Sequence, residues 1–114
     1  MTLLIAERDP TLRAAVDFGG AAGSWEGSPP LRERLLAAVD ASKVPTLFIH
    51  AANDYSIAPG QELGKEMERL HKPHRVKIYP AAGATTDDGH RFIYLKVAAW
   101  EPDVFAFLEQ CMRR

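Results

Sequence analysis

Cysteine is nearly missing from this chain: among its 114 residues only Cys111 carries a thiol. That excludes an intramolecular disulfide and a cysteine-built zinc cluster, and it fits a reducing, cytoplasmic compartment. An excess of one charge is missing too. Fourteen Lys and Arg stand against fifteen Asp and Glu, a formal charge of −1. Such a balance offers no field for nucleic acid or an anionic membrane. No stretch approaches the roughly 20 apolar residues of a membrane span. The opening Met1-Thr2-Leu3-Leu4-Ile5-Ala6-Glu7-Arg8-Asp9 has an apolar patch but no basic residue before it, which argues against a signal peptide. Neither G-x-G-x-x-G nor a Walker pattern occurs, so Gly19-Gly20 and Gly23 are not read as a phosphate cradle. Repeats and linker-like segments are also lacking.

What is present is ordinary for a folded protein: 46% hydrophobic and 25% charged residues. The length suits a single domain over residues 1–114. A chain of this size buries roughly two-thirds of its unfolded surface, enough to stand without staples.

Element types alternate along it. Residues 2–7 are predicted helical, ended by Asp9-Pro10. Residues 12–18 read as a short strand stopped by Gly19-Gly20. Ser28-Pro29-Pro30 is a helix start, because serine caps free N–H groups and proline lacks the N–H that a first turn cannot use. Residues 44–50 form a continuous apolar run, the mark of a strand buried on both faces. Pro59 starts the next helix, residues 75–80 alternate as a half-exposed strand, residues 81–91 read as a long loop, and Pro102 opens a last helix. The order predicts an α/β fold: three layers, with a short parallel sheet of about three strands and helices on both faces.

In such sheets chemistry gathers beyond the carboxyl ends of the strands. Asp54 and His90 fall there. A carboxylate accepting a histidine Nδ1–H fixes its tautomer and supports proton transfer. Spacing alone favours the plainer reading, in which Asp54 caps a turn and His90 lies on a solvated loop. His71-Lys72-Pro73-His74 has a metal-like gap, but Pro73 breaks any helix between the histidines and no third ligand is evident. No metal and no cofactor is expected. His50, at a strand end, reads as a buried histidine with a backbone partner.

The local wording sharpens this. Residues 44–59, VPTLFIHAANDYSIAP, and residues 79–92, YPAAGATTDDGHRF, resemble two stretches of the dienelactone-hydrolase-like branch of the α/β-hydrolase family. The resemblance implies a partial α/β-hydrolase fold with Asp54 as the catalytic acid and His90 as the base. It also implies a small ester or lactone substrate, with Trp25 and Tyr55 lining the pocket. Aromatic residues of that kind also serve as core. The family's nucleophile sits in a G-x-S-x-G turn, and this sequence contains none. Gly23-Ser24-Trp25-Glu26-Gly27 has its serine one place early. MTLLIAE is similar to the helix that follows the nucleophile turn, so the nucleophile is expected a few residues before Met1. On that reading the chain resembles the C-terminal portion of a hydrolase and is inactive alone, since both nucleophile and oxyanion hole lie outside it. A recruited Ser24 or Ser56 has only proximity to recommend it. The segment Thr85-Thr86-Asp87-Asp88-Gly89 looks like an insertion in a solvated acidic loop. A strand left unpaired at the sheet edge is expected to drive homo-oligomer formation. The rival expectation is a non-catalytic, self-associating α/β module.

Overall fold

A strand with no polar face needs cover on both sides, and the middle of this chain receives it. The computed structural model describes residues 1–113. Strand β2 (Thr46–Ala51) is buried at all six positions. It lies between β1 (Ala15–Phe18) and β3 (His74–Tyr79) in a three-stranded sheet. Both pairings are parallel, with Ala15 opposite Thr46 and Thr46 opposite His74.

The period of two along β2 sorts the core into two sets. On one face Phe48 packs with Leu3, Leu35, Val39, Leu63 and Met67. These come from α1 (Thr2–Arg8), α2 (Pro29–Ala41) and α3 (Ala58–Arg69). On the other face Leu47 and Ile49 pack with Phe92, Val104 and Phe107. These belong to α5 (Phe92–Leu95) and α6 (Val97–Met112). A short helix, α4 (Thr86–His90), lies between β3 and α5. The architecture is therefore the expected three-layer α/β arrangement with three parallel strands.

Capping chemistry sets the helix ends. Ser28 accepts from the Leu31 N–H, and prolines occupy the first positions of α2. At the carboxyl end of α2, Lys72 Nζ donates to the carbonyls of Val39 (2.7 Å), Asp40 (2.5 Å) and Ser42 (2.8 Å). A cation there meets the negative end of the helix dipole.

Three elements differ from the sequence reading. β1 begins at Ala15, not at residue 12. Its first ladder bond runs from the Ala15 N–H to the Pro45 carbonyl at 2.9 Å, and Pro45 has no N–H with which to extend the ladder outward. The predicted loop 81–91 holds α4, closed by a capping box between Thr85 and Asp88. The last helix starts at Val97, with Pro102 inside it. The preceding turn is pinned by Trp100 Nε1 on the Ile93 carbonyl at 3.1 Å, so the helix is already running when Pro102 is reached. Pro102 cannot return the bond to Ala98 that another residue would make. Among the described residues, no helix is long and apolar enough to cross a membrane.

Candidate active site

β2 ends at Ala51, and the chain turns at once: the Asp54 N–H donates to the Ala51 carbonyl at 3.1 Å. The turn points Asp54 inward, and only 1% of its side chain is exposed. His90 closes α4 on the neighbouring segment, with 41% of its side chain exposed. The two meet: His90 Nδ1 lies 2.9 Å from Asp54 Oδ1.

Two devices hold the turn and α4 together. Asn53 Nδ2 donates to the carbonyls of Ala82 (2.7 Å) and Thr85 (2.8 Å), and its Oδ1 accepts from the Ala82 N–H (2.9 Å). The residue before His90 is Gly89, where a Cβ would lie 2.5 Å from the Asn53 carbonyl carbon. Only glycine allows α4 to sit this close to the Asp54 turn.

Asp54 has further partners. Its Oδ1 also accepts from the Tyr55 N–H at 2.7 Å, and its Oδ2 lies 3.0 Å from His50 Nδ1. Burial pushes the Asp54 carboxyl up, but the hydrogen bonds from His50, His90 and the Tyr55 amide outweigh it. The net effect holds the group below the usual carboxylate range. An ionised carboxylate only accepts, so the proton between Asp54 and His90 sits on Nδ1 of the imidazole. In the neutral ring the other nitrogen, Nε2, carries a lone pair.

Tyr55 stands beside this pair. Its ring centroid is 5.2 Å from that of His90, and its hydroxyl donates to Asp87 Oδ1 at 2.7 Å. Trp25 does not join it. Trp25 is 1% exposed, packs in the core with Phe48 and Leu63, and donates from Nε1 to Glu62. Its position corrects the expectation that it lines the pocket: the loop after β1 folds the indole under α2 and α3. Asp88 does not approach His90 as a second acid, because its Oδ2 accepts from the amides of Ala84 (2.9 Å) and Thr85 (3.2 Å).

A cavity of about 10 Å³ adjoins the pair, lined in part by Phe18, Gly19, Phe92 and Ile93. That is room for about one water molecule. A groove of about 510 Å³ runs beside β1 and shares Phe18 and Ile93 with the cavity. No residue lining the small cavity carries a hydroxyl or thiol. Ser56 Oγ is engaged by Glu26 Oε1 at 2.9 Å, and Cys111 is buried in the second core cluster. Among the described residues, no three His, Cys, Asp or Glu side chains are grouped to hold a metal ion.

A model of the dienelactone hydrolase family matches residues 1–110. The chain belongs to that family. No curated protein matches it. In this dienelactone hydrolase family chain, the expected approach of Asp54 and His90 is present as a hydrogen bond, whereas the bonds of His50 to Asp54 and of Asn53 to the segment after β3 are not foreseen by the sequence. A signal was present for His50, which precedes Asp54 by four residues on the strand that delivers it. Asn53 left no such trace, because its partners lie across the fold.

Proposed function

We propose that Asp54 and His90 are the acid and base of a hydrolase that cleaves small carboxylic esters or lactones through an acyl-enzyme. The nucleophile and oxyanion hole come from outside this chain, from a segment of the family's G-x-S-x-G type. One observation carries the reading: a buried, ionised carboxylate sits 2.9 Å from Nδ1 of a half-exposed histidine. In that state Nε2 accepts a proton from a serine or cysteine, and Asp54 stabilises the imidazolium that results. His90 then returns the proton to the leaving alcohol, and water repeats the cycle on the acyl group. The exposure of Tyr55 beside His90 supports giving it a substrate contact. Without nucleophile and oxyanion hole, an acid–base pair supplies only about 10²–10⁴-fold and needs a positioned substrate.

The test is the intact mass of the chain after a fluorophosphonate, alone and mixed with a polypeptide bearing the family's strand, nucleophile turn and helix. The expected result is no adduct on the chain alone. The mixture should hydrolyse esters, and His90→Ala should abolish this. An adduct on Ser24 or Ser56, or hydrolysis by the mixture that ignores His90→Ala, overturns the reading.

A second reading, the non-catalytic self-associating module, has its own observation. β1 is an edge strand, and apolar residues Leu3, Leu4, Phe18, Leu31 and Leu35 line the groove beside it. Exposed edges of this kind pair with further strands. A dimer in light scattering with His90 closed to imidazole reagents supports this reading; a monomer at micromolar concentration excludes it.

A further inference from the structure

His50 is 3% exposed and engaged on both ring nitrogens. Nδ1 lies 3.0 Å from Asp54 Oδ2, and Nε2 lies 3.0 Å from the Gly60 amide nitrogen. Gly60 stands in the first turn of α3, where N–H groups lack partners within the helix. An N–H can only donate, so Nε2 must accept and cannot carry a proton. The positive end of the α3 dipole opposes a proton there as well. The proton of His50 therefore sits on Nδ1 and points at Asp54. The arrangement depends on glycine at position 60, since a Cβ would lie 2.6 Å from His50 Cδ2 and 2.8 Å from Nε2.

We infer that His50 is a positioning residue: held as the neutral Nδ1–H tautomer by the amino end of α3, it orients the Asp54 carboxylate toward His90. The inference rests on the acid–base reading of Asp54 and His90. A buried carboxylate free to turn about its last bond would offer His90 either oxygen. With Oδ2 held by His50 and Oδ1 by the Tyr55 amide, its plane is fixed and Oδ1 faces His90. The charged and titratable groups around this chain of bonds are few. Asp54 is faced by His50 from β2, by His90 from α4, and by Tyr55, whose phenol is bound to Asp87. Asp17 of β1 acts on His50 electrostatically.

Two substitutions separate the two bonds. His50→Asn places an amide nitrogen where Nδ1 stands, so it keeps the donor to Asp54 and loses the acceptor for Gly60. His50→Gln places an amide oxygen near Nε2, so it keeps the acceptor and loses the donor. The measurement is NMR of the whole chain, following the Asp54 carboxyl carbon through an acid titration and the ring nitrogens of His50 and His90. In His50→Gln the Asp54 acid dissociation constant should fall about tenfold, as expected for the loss of one hydrogen bond to a charge. The Nδ1–H population of His90 should fall with it. In His50→Asn both should stay near wild type. A folded His50→Gln variant with Asp54 and His90 unchanged reduces His50 to packing and overturns the inference. So does a wild-type spectrum showing His50 protonated on Nε2 at neutral pH, a result that needs no variant to fold. Asp54→Asn is the control on the underlying reading: if His90 keeps its tautomer there, the Asp54–His90 pair itself fails, whatever His50 does.

Discussion

Asn53 and Ala82 bind each other twice: the Asn53 amide donates to the Ala82 carbonyl at 2.7 Å and accepts from the Ala82 N–H at 2.9 Å. The side chain thus imitates a strand, tying the segment after β3 to the turn after β2 and setting where α4 begins. Asn53→Ala removes these two bonds and the one to Thr85. At about 1 kcal/mol net per bond, the cost should be about 2–3 kcal/mol. Urea unfolding reads the loss, and faster amide exchange at Ala82 locates it.

Asp54 gives the molecule a signature in acid. Its folded-state pKa lies below the ordinary carboxylate value, because the hydrogen bonds from His50, His90 and Tyr55 overcome the burial that opposes them. A depressed acid stabilises the fold above its unfolded pKa, about 3.9, and that contribution is lost as pH falls through the folded value. Wild type should exceed Asp54→Asn in unfolding free energy at about pH 5. The margin should close below about pH 4. A margin that stays open in acid would contradict this assignment.

Asp17 should show the opposite sign. Burial raises its carboxyl pKa, and His50 and the Gly20 amide offset this only in part. The fold therefore binds this proton more tightly than the unfolded chain does, and stability is lost as pH rises through the raised value. Asp17→Asn keeps an oxygen acceptor for the Gly20 N–H, which is 3.1 Å away, and removes the charge. Its melting temperature should exceed wild type at pH 7, and the advantage should vanish below about pH 3.9, where the unfolded group also holds its proton.

Lys72 ties α2 to the segment before β3. Lys72→Met keeps most of the apolar stem but leaves the carbonyls of Val39, Asp40 and Ser42 without this cation. A loss of about 1–2 kcal/mol is expected in chemical denaturation. Lys72→Arg should recover part of it, since the charge is retained.

The sequence was most readable where a single local rule decides the outcome. The unbroken apolar run of β2, the Ser28 cap and the proline at the start of α3 each act over a few residues. Asp54 and His90 were visible through their resemblance to the family motifs, at the strand ends where chemistry collects. Contacts across the fold were harder to read. Thr85-Thr86-Asp87-Asp88-Gly89 has the composition of a loop and becomes α4 because Thr85 and Asp88 cap it. Trp25 carries no local mark separating a core indole from a pocket wall, and its partner Glu62 lies on α3. Pro102 looked like a helix start because proline favours that position, yet α5 and Trp100 begin the helix earlier. The strand-end position of His50 predicts a buried histidine with a backbone partner, and the Gly60 amide is that partner; its bond to Asp54 depends on the turn after β2.

The parallel sheet has a kinetic consequence. Neither pairing is a hairpin: β1 reaches β2, and β2 reaches β3, only after a complete helical crossover. Each pairing closes a long loop before its contacts return any free energy, so local turns cannot start the sheet. Because β2 is the partner in both closures, it is expected in the folding nucleus. Trimming Phe48 or Ile49 should slow refolding, whereas trimming Val16 on the edge strand should chiefly speed unfolding. On that expectation, the strand that delivers Asp54 also sets the folding rate.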